Sequence, residues 1–239
     1  MLTCLPLDIF TDVPRGLLVK YYPICLDLRG RQCVVVGGGD VSERKVTRLV
    51  QCGARVTVVD RRLSPGLERM KKEAAINHVD DGYNASFLRD AFLVIAATDQ
   101  DEVNEAVYRD ARKLGIIVNV VDDPRRCDFI LPSVFQQGDL SIAVSTGGKS
   151  PALAKKLARD LHSLYGPEYE LLLQIMGELR ERMLARGLPS TEKRKIFEAI
   201  VHSDILHYIR KKDKEGVKMI IKDIAGLDMD WGGDGSFVF

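Results

Sequence analysis

Short apolar runs separated by helix-like segments dominate the first half of the chain. The intervening segments have helical spacing, as at Val46, Leu49 and Val50. The runs, which show no apolar–polar alternation, are CVVV before Gly37, RVTVV before Asp60, FLVIAA at 92–97 and IIVNVV at 116–121. Continuous runs of this kind are typical of parallel strands that are covered on both faces. The pattern therefore predicts an α/β fold with a Rossmann-like, doubly wound parallel sheet.

One more strand is predicted upstream of this repeat. The segment YPICLDL, from Tyr22 to Leu28, has the composition of a strand and is followed by a turn at Arg29-Gly30-Arg31. We therefore expect the sheet region to begin near residue 22.

The pattern changes after Pro124. FILPSVF and LSIAVST are β-rich and are joined by QQGD, which predicts a β-hairpin, and helical spacing dominates from Pro151 onward. A lone hairpin is marginal in water, so its strands must either extend the sheet or pair with another subunit, and we expect them to pair with a second copy in a homodimer. The predicted domains are an NAD-binding Rossmann-like domain (1–131), a dimerisation segment (132–165), a helical C-terminal domain (166–226) and a tail (227–239).

Composition narrows the possible partners and location. Lys and Arg number 35 against 34 Asp and Glu, and this balance argues against nucleic-acid or membrane-surface binding by bulk electrostatics. No run approaches the roughly 18 apolar residues that a membrane span needs, and the five Cys contain no C-x-x-C pair. We expect a cytoplasmic protein without a membrane or nucleic-acid partner. The four His show no metal-ligand spacing, so no dedicated metal site is predicted.

The glycine turn after the CVVV run is the first candidate for chemistry. GGGDVS places Gly37 and Gly39 at the first two positions of G-x-G-x-x-G, and Ser42 takes the third position, where helix–strand packing requires a small residue. A turn of this kind lets backbone N–H groups approach a diphosphate at a helix N-terminus. The alternative is a tight turn without a ligand, which the agreement of strand, turn and helix makes the weaker interpretation.

An acidic residue follows at the expected distance. Asp60 ends the second apolar run 23 residues after Gly37, where a ribose-binding carboxylate belongs. A solvated strand end is the alternative for Asp60, and Arg61 and Arg62 would suit the 2′-phosphate of NADP. The pattern favours NAD and leaves NADP open. Thr98 lies at the end of the FLVIAA run, where this fold places its ligand crevice.

Five motifs in fixed order resemble one known family. GGGDVSERK, AATD, NVVDDP, FILPS and AVSTGGKSP closely resemble the precorrin-2 dehydrogenase/sirohydrochlorin ferrochelatase module of sirohaem synthase, over about residues 22–188. This resemblance implies NAD-dependent oxidation of precorrin-2, followed in many members by insertion of Fe²⁺ as a substrate metal. The methyltransferase domain that is fused in some relatives is not expected, because no residues remain to build it.

The resemblance also assigns residues. It implies that Asp122, the aspartate of NVVD, is catalytic and that Asp40, Val41, Arg61 and Arg62 contact the cofactor. The residues that it implies for the tetrapyrrole substrate are Asn119, Ser133, Ser145, Thr146, Gly147 and Lys149.

One carboxylate suits this chemistry. Oxidation of a reduced tetrapyrrole removes a hydride and a proton, so a base is required at the carboxyl end of a strand. The same Asp122 could take protons from pyrrole nitrogens or hold Fe²⁺ transiently. Its alternative role is that of a turn residue before Asp123-Pro124, without chemistry.

Three other functions can be weighed against the same motifs by what each would require. A dehydrogenase without chelation, or a non-catalytic NAD(H)-sensing Rossmann module, would carry the same glycine turn. A sensor, however, has no use for an acid beside the nicotinamide. A dehydrogenase of small hydroxy acids would normally need a catalytic His or Lys, and no His lies beside any of these motifs.

Overall fold

The computed structural model describes residues 21–228 and divides the chain into two compact units, with the boundary between Leu131 and Pro132. The strands of the first unit are β1 (Gln32–Val36), β2 (Arg55–Val59), β3 (Asn77–Val79), β4 (Leu93–Ala96) and β5 (Ile117–Val120). Its helices are α1 (Asp40–Gln51), α2 (Pro65–Lys72) and α3 (Asp101–Leu114), with 3₁₀ turns at Ala85–Leu88 and Pro124–Arg126.

All five strands pair in parallel in the order β3-β2-β1-β4-β5. The order reverses at β1 and β4, and the carboxyl ends of these two central strands form the crevice in which open α/β sheets bind ligands. The predicted Rossmann-like fold class is confirmed.

Both faces of the sheet are buried, which explains the continuous apolar runs. Val35 and Val58 face a core layer that includes Val46 of α1 and Leu67 of α2. Residues of the opposite face pack in a second layer with α3 and with Leu88. The helices on the two faces leave only strand ends and loops to carry polar chemistry.

The segment Tyr22–Leu28 is not a strand, so this prediction was wrong. Tyr22 is 87% exposed and Ile24 is 63% exposed, and no strand of the described residues pairs with the segment. Only Leu28 is buried, in the core layer that contains Val46. A strand is defined by a hydrogen-bonded neighbour, and β-prone composition by itself does not supply one.

The second unit begins with the predicted hairpin. β6 (Ser133–Gln137) and β7 (Leu140–Val144) pair antiparallel around Gly138, which has a φ of +53°. The helices that follow are α4 (Pro151–Asp160), α5 (Pro167–Ala185), α6 (Ser190–Val201), α7 (Ile205–Arg210) and α8 (Lys214–Ala225). Ile175, Leu179 and Ile200 lie in the apolar core of this helical part. From residue 229 onward the predicted tail lies outside the described residues.

Candidate functional site

The glycine turn between β1 and α1 is shaped by contacts that exclude side chains. Gly37 has a φ of +120°, and a Cβ on it would lie 2.7 Å from the carbonyl carbon of Ala97 at the end of β4. A Cβ on Gly38 would lie 3.0 Å from the carbonyl carbon of Arg62. These two glycines are therefore required by close packing of backbone against backbone.

Gly39 differs from its two neighbours because the space beside its Cα is open. No atom lies within 4 Å of a Cβ built there, and Gly39 is the N-cap of α1 without a side-chain cap. The first intrahelical bond runs from the Glu43 N–H to the Gly39 oxygen at 3.0 Å, so the earlier N–H groups, those of Asp40 and Val41 among them, have no partner within the helix. This open, uncapped helix start fits a dinucleotide diphosphate.

Ser42 supplies the small residue expected at the third motif position. It is fully buried, and its hydroxyl donates to the Ala97 carbonyl at 3.4 Å. The α1 helix can therefore lie close to the end of β4 without leaving a buried hydroxyl unpaired.

The loop after β2 carries the candidate ribose and phosphate contacts. One oxygen of Asp60 accepts from the Arg62 N–H at 2.9 Å, and the Asp60 carbonyl oxygen lies 2.8 Å from Nε2 of His78. Arg61 is exposed, 3.7 Å from Asp81, and Arg62 is exposed as well. Asp60 keeps a second oxygen for a ribose hydroxyl, while both guanidinium groups remain accessible to solvent.

Asn104 is a site residue that sequence reasoning missed. It is buried on α3; its Nδ2 donates to the Thr98 carbonyl at 3.0 Å, and its Oδ1 accepts from the Thr98 hydroxyl at 2.9 Å. The Thr98 N–H also reaches Oδ1 of Asn104, at 3.2 Å. The loop after β4 is thus fixed to α3. The signal in the sequence is that Asn104 is a polar residue on the face of α3 that otherwise buries Val107 and Ala111.

Asp122 lies directly beyond β5 in an exposed turn. It has a φ of +63°, one of three non-glycine residues with positive φ among residues 21–228. Its carboxylate makes no hydrogen bond or ion pair within that range. The neighbouring Asp123 is held instead, because its carboxylate accepts from the Arg125 N–H at 2.9 Å and from Nε of Arg126 at 2.8 Å.

These surroundings shift two pKa values beside Asp122. The backbone N–H of Arg125, followed by the guanidinium of Arg126, lowers the pKa of the Asp123 carboxyl below its usual range. Burial raises the pKa of the Cys127 thiol. Asp123 is therefore fixed as an anion and Cys127 as a neutral thiol, which leaves Asp122 as the free carboxylate of this turn.

Asn119 lies inside the first unit. It is 8% exposed on β5, and its Nδ2 donates to the Phe129 carbonyl at 2.9 Å. This amide secures the segment that follows the 3₁₀ turn against the sheet edge. Its predicted contact with substrate stays a prediction.

The remaining predicted substrate residues lie in the second unit. Ser133 begins β6, opposite Val144. The other four, which share the loop between β7 and α4, are Ser145, Thr146, Gly147 and Lys149. In that loop the Ser145 hydroxyl accepts from the Gly147 N–H at 3.1 Å, and the Thr146 hydroxyl accepts from the Ser150 N–H at 3.0 Å.

Residues 21–228 offer neither a cluster of metal ligands nor a helix that could cross a membrane. No group of three or more His, Cys, Asp or Glu side chains is arranged to hold a metal ion. No helix in this part of the chain combines the length and apolar character that crossing a membrane requires.

Family comparisons agree with the site. Residues 24–133 match an NAD(P)-binding family model, and residues 137–163 match the central region of sirohaem biosynthesis proteins. Siroheme synthase 1 of Aeromonas salmonicida is 39% identical over 188 residues, which is 79% of this chain and 40% of that protein. Siroheme synthase of Nitrosococcus oceani is 38% identical over 201 residues, which is 83% of this chain and 43% of that protein. The chain thus spans about two fifths of these relatives.

One solved structure matches most of this chain and the whole of its own. SirC, a precorrin-2 dehydrogenase, superposes with a TM-score of 0.67 at 27% identity, over 84% of this chain and 100% of that one. Fold and glycine turn together define a Rossmann-like NAD(P)-binding protein. These matches confirm the resemblance inferred from the motifs, to the precorrin-2 dehydrogenase/sirohydrochlorin ferrochelatase module of sirohaem synthase.

Proposed function

We propose that this chain oxidises precorrin-2 to sirohydrochlorin with NAD as the hydride acceptor. The observation that carries the proposal is the free carboxylate of Asp122, which follows β5 at the same sheet edge as the glycine turn after β1. A cofactor-binding turn and an unpaired acid at the same carboxyl edge of one parallel sheet are what a dehydrogenation step needs. The match to a precorrin-2 dehydrogenase along its whole length supports the substrate class.

The cofactor would be held by the first unit. The uncapped start of α1 at Gly39, Asp40 and Val41 would bind the diphosphate, and Asp60 would bind the ribose. The carboxylate of Asp60 would repel a 2′-phosphate, so NAD is preferred to NADP although Arg61 and Arg62 are accessible. Bound NAD supplies the hydride acceptor.

Asp122 would act as the general base. Removal of two hydrogens from precorrin-2 releases a hydride and a proton, and the carboxylate takes the proton. An exposed carboxylate without a protein partner can return that proton to solvent between turnovers. Thr98, held by Asn104, would line the crevice on the β4 side.

Chelation of Fe²⁺ as a substrate metal is a further part of the proposal. Asp122 would accept protons from the pyrrole nitrogens as the metal enters, or hold Fe²⁺ briefly. A dehydrogenase without chelation is the alternative within the family. A non-catalytic NAD(H)-sensing module is less favoured, because it would have no use for the strained and free Asp122.

A homodimer and a cytoplasmic location complete the proposal. Leu153 and Leu157, four residues apart on α4, are 47% and 42% exposed, and Leu164 beyond the helix is 62% exposed. Side chains four apart share a helix face, so α4 presents an apolar strip within the predicted dimerisation segment 132–165. A second copy that covers the strip would bury these leucines.

The test is an anaerobic assay with precorrin-2 and either NAD or NADP, in which the absorbance of the tetrapyrrole is followed over time. We expect formation of sirohydrochlorin, with a higher kcat/KM for NAD than for NADP. Subsequent addition of Fe²⁺ tests chelation separately. Absence of any oxidation with either cofactor would refute the dehydrogenase, and an equal or reversed cofactor preference would refute the role of Asp60.

A further inference from the structure

The turn that carries Asp122 has a conformation that needs support. The Asp123 N–H donates to the Val120 carbonyl at 3.3 Å, and Asp122 takes the positive φ of +63° that the third position of a type II turn requires. Glycine or asparagine is the usual residue there. A left-handed conformation is unfavourable for an L residue and persists where its surroundings impose it.

The thiol of Cys127 contacts both ends of this turn. Its Sγ lies 3.1 Å from the Val120 carbonyl oxygen and 3.1 Å from that of Asp123, so the single S–H proton is shared between two acceptors on either side of Asp122. The amide of Asn119 lies 3.4 Å from the same sulfur. Closing the turn therefore depends on a side chain that comes five residues after Asp122.

Arg126 anchors the other side of Asp122. Its side chain is only 17% exposed and contacts three carboxylates: Asp123 at 2.8 Å, Glu105 at 3.3 Å and Asp101. Asp101 and Glu105 lie four apart on α3 and present one face to the guanidinium. A planar guanidinium can serve several carboxylates at fixed angles, which a lysine ammonium does not reproduce.

These contacts connect the two loops at the carboxyl edge of the sheet. α3 begins three residues after Thr98, and Asn104 of the same helix holds that residue. Arg126 ties α3 to the residue that follows Asp122. The loop after β4 and the turn after β5 are therefore fixed to one helix.

We propose that Arg126 and Cys127 are positioning residues for Asp122, which hold the Val120–Asp123 turn in its left-handed conformation and so fix the carboxylate at the edge of the crevice. The benefit of this arrangement rests on the proposed role of Asp122 as the base. Small displacements of a catalytic group lower the rate steeply, by as much as about 100-fold for 1 Å.

The first measurement needs no substrate. Amide hydrogen exchange of the Asp123 N–H, followed by NMR, reports the opening of the turn directly. We expect about fivefold faster exchange in Cys127→Ala and Arg126→Met, which is the factor that corresponds to the loss of one ordinary hydrogen bond. Cys127→Ser keeps a donor and is expected to exchange nearly as slowly as the wild type. Arg125→Ala is the matched control. The Arg125 side chain is 91% exposed, and its Nε lies 3.5 Å from the Asp123 carboxylate, so the contact that is lost is a weak one.

The second measurement is the kinetics of precorrin-2 oxidation. Cys127→Ala and Arg126→Lys are expected to lower kcat by roughly tenfold with an unchanged KM for NAD, since neither side chain lies in the glycine turn. Cys127→Ser should restore most of kcat. A merely structural role would lower the amount of folded protein without this separation of kcat from KM.

Exchange of the Asp123 amide at the wild-type rate in both Cys127→Ala and Arg126→Met would overturn the proposal. Faster exchange of the Asp123 amide with an unchanged kcat would also overturn it, because the conformation of the turn would then not affect catalysis. If the wild-type protein does not oxidise precorrin-2, the proposed function fails. The exchange rates still decide whether this pair holds the turn.

Discussion

Gly37 and Ala97 approach each other so closely that a Cβ on Gly37 would stand 2.7 Å from the carbonyl carbon of Ala97. The contact joins the end of β1 to the end of β4, the two strands between which the order of the sheet reverses. Gly37 is thus needed by the fold, whereas Gly39, which faces open space, is available to a ligand.

This difference predicts separate effects for two substitutions. Gly37→Ala should lower the free energy of unfolding by about 2 kcal/mol or more, because φ is positive and the Cβ has no room. Gly39→Ala should leave stability within about 0.5 kcal/mol and weaken NAD binding, since its Cβ fills the diphosphate approach. Urea unfolding and calorimetric titration with NAD measure the two effects. Equal loss of stability in both variants would contradict the distinction.

Removal of the Asp122 carboxylate should stop catalysis and spare cofactor binding. We expect Asp122→Ala to lower the rate of precorrin-2 oxidation by roughly 10²- to 10⁴-fold, and Asp122→Asn to be nearly as slow, because a positioned base contributes that much. NAD binding should stay unchanged, since Gly39 and Asp60 are intact. Oxidation of precorrin-2 at the wild-type rate by either variant would mean that Asp122 is only a turn residue and not the base. Normal Fe²⁺ insertion into supplied sirohydrochlorin would separate chelation from dehydrogenation.

The same position offers a stability test that is independent of substrate. Asp122 has a φ of +63°, which glycine adopts without strain and alanine does not. Asp122→Gly should therefore be more stable than Asp122→Ala by about 1 kcal/mol. Urea unfolding of the two inactive variants measures the difference. A less stable glycine variant would mean that the positive φ is not maintained in solution.

The apolar strip on α4 predicts a charge-sensitive homodimer. Light scattering should give twice the mass of one chain for the wild type, and Leu157→Lys should shift the protein to monomers because a lysine cannot be buried unpaired. Lys155→Gln changes an exposed neighbour on the same helix and serves as the matched control. A wild-type monomer, or a Leu157→Lys dimer of wild-type stability, would refute this interface.

Much of the first unit follows from local patterns in the chain. The runs around Val35, Val58 and Ile95 are buried on both faces of the sheet. They are therefore continuously apolar, which is the pattern of strands in a covered parallel sheet. The glycine turn is also predictable from the sequence, because backbone packing excludes every larger side chain at Gly37. By contrast, β3 spans only Asn77–Val79, and three residues with one clearly apolar side chain carry no readable pattern.

Sequence alone thus determined the strand–helix alternation, the glycine turn and the place of Asp122 beyond a strand, because each depends on neighbours in the chain. Tertiary structure alone decided which acid is free. Asp122 and Asp123 are adjacent and chemically identical, yet Arg126 and the Arg125 N–H engage only the second. The same Arg126 guanidinium also contacts Asp101 and Glu105 on α3, which lie 25 and 21 residues earlier in the chain and reach it only in the folded protein. Contacts between distant segments leave no periodic trace, so only the folded chain could identify the free carboxylate and the residues that hold it.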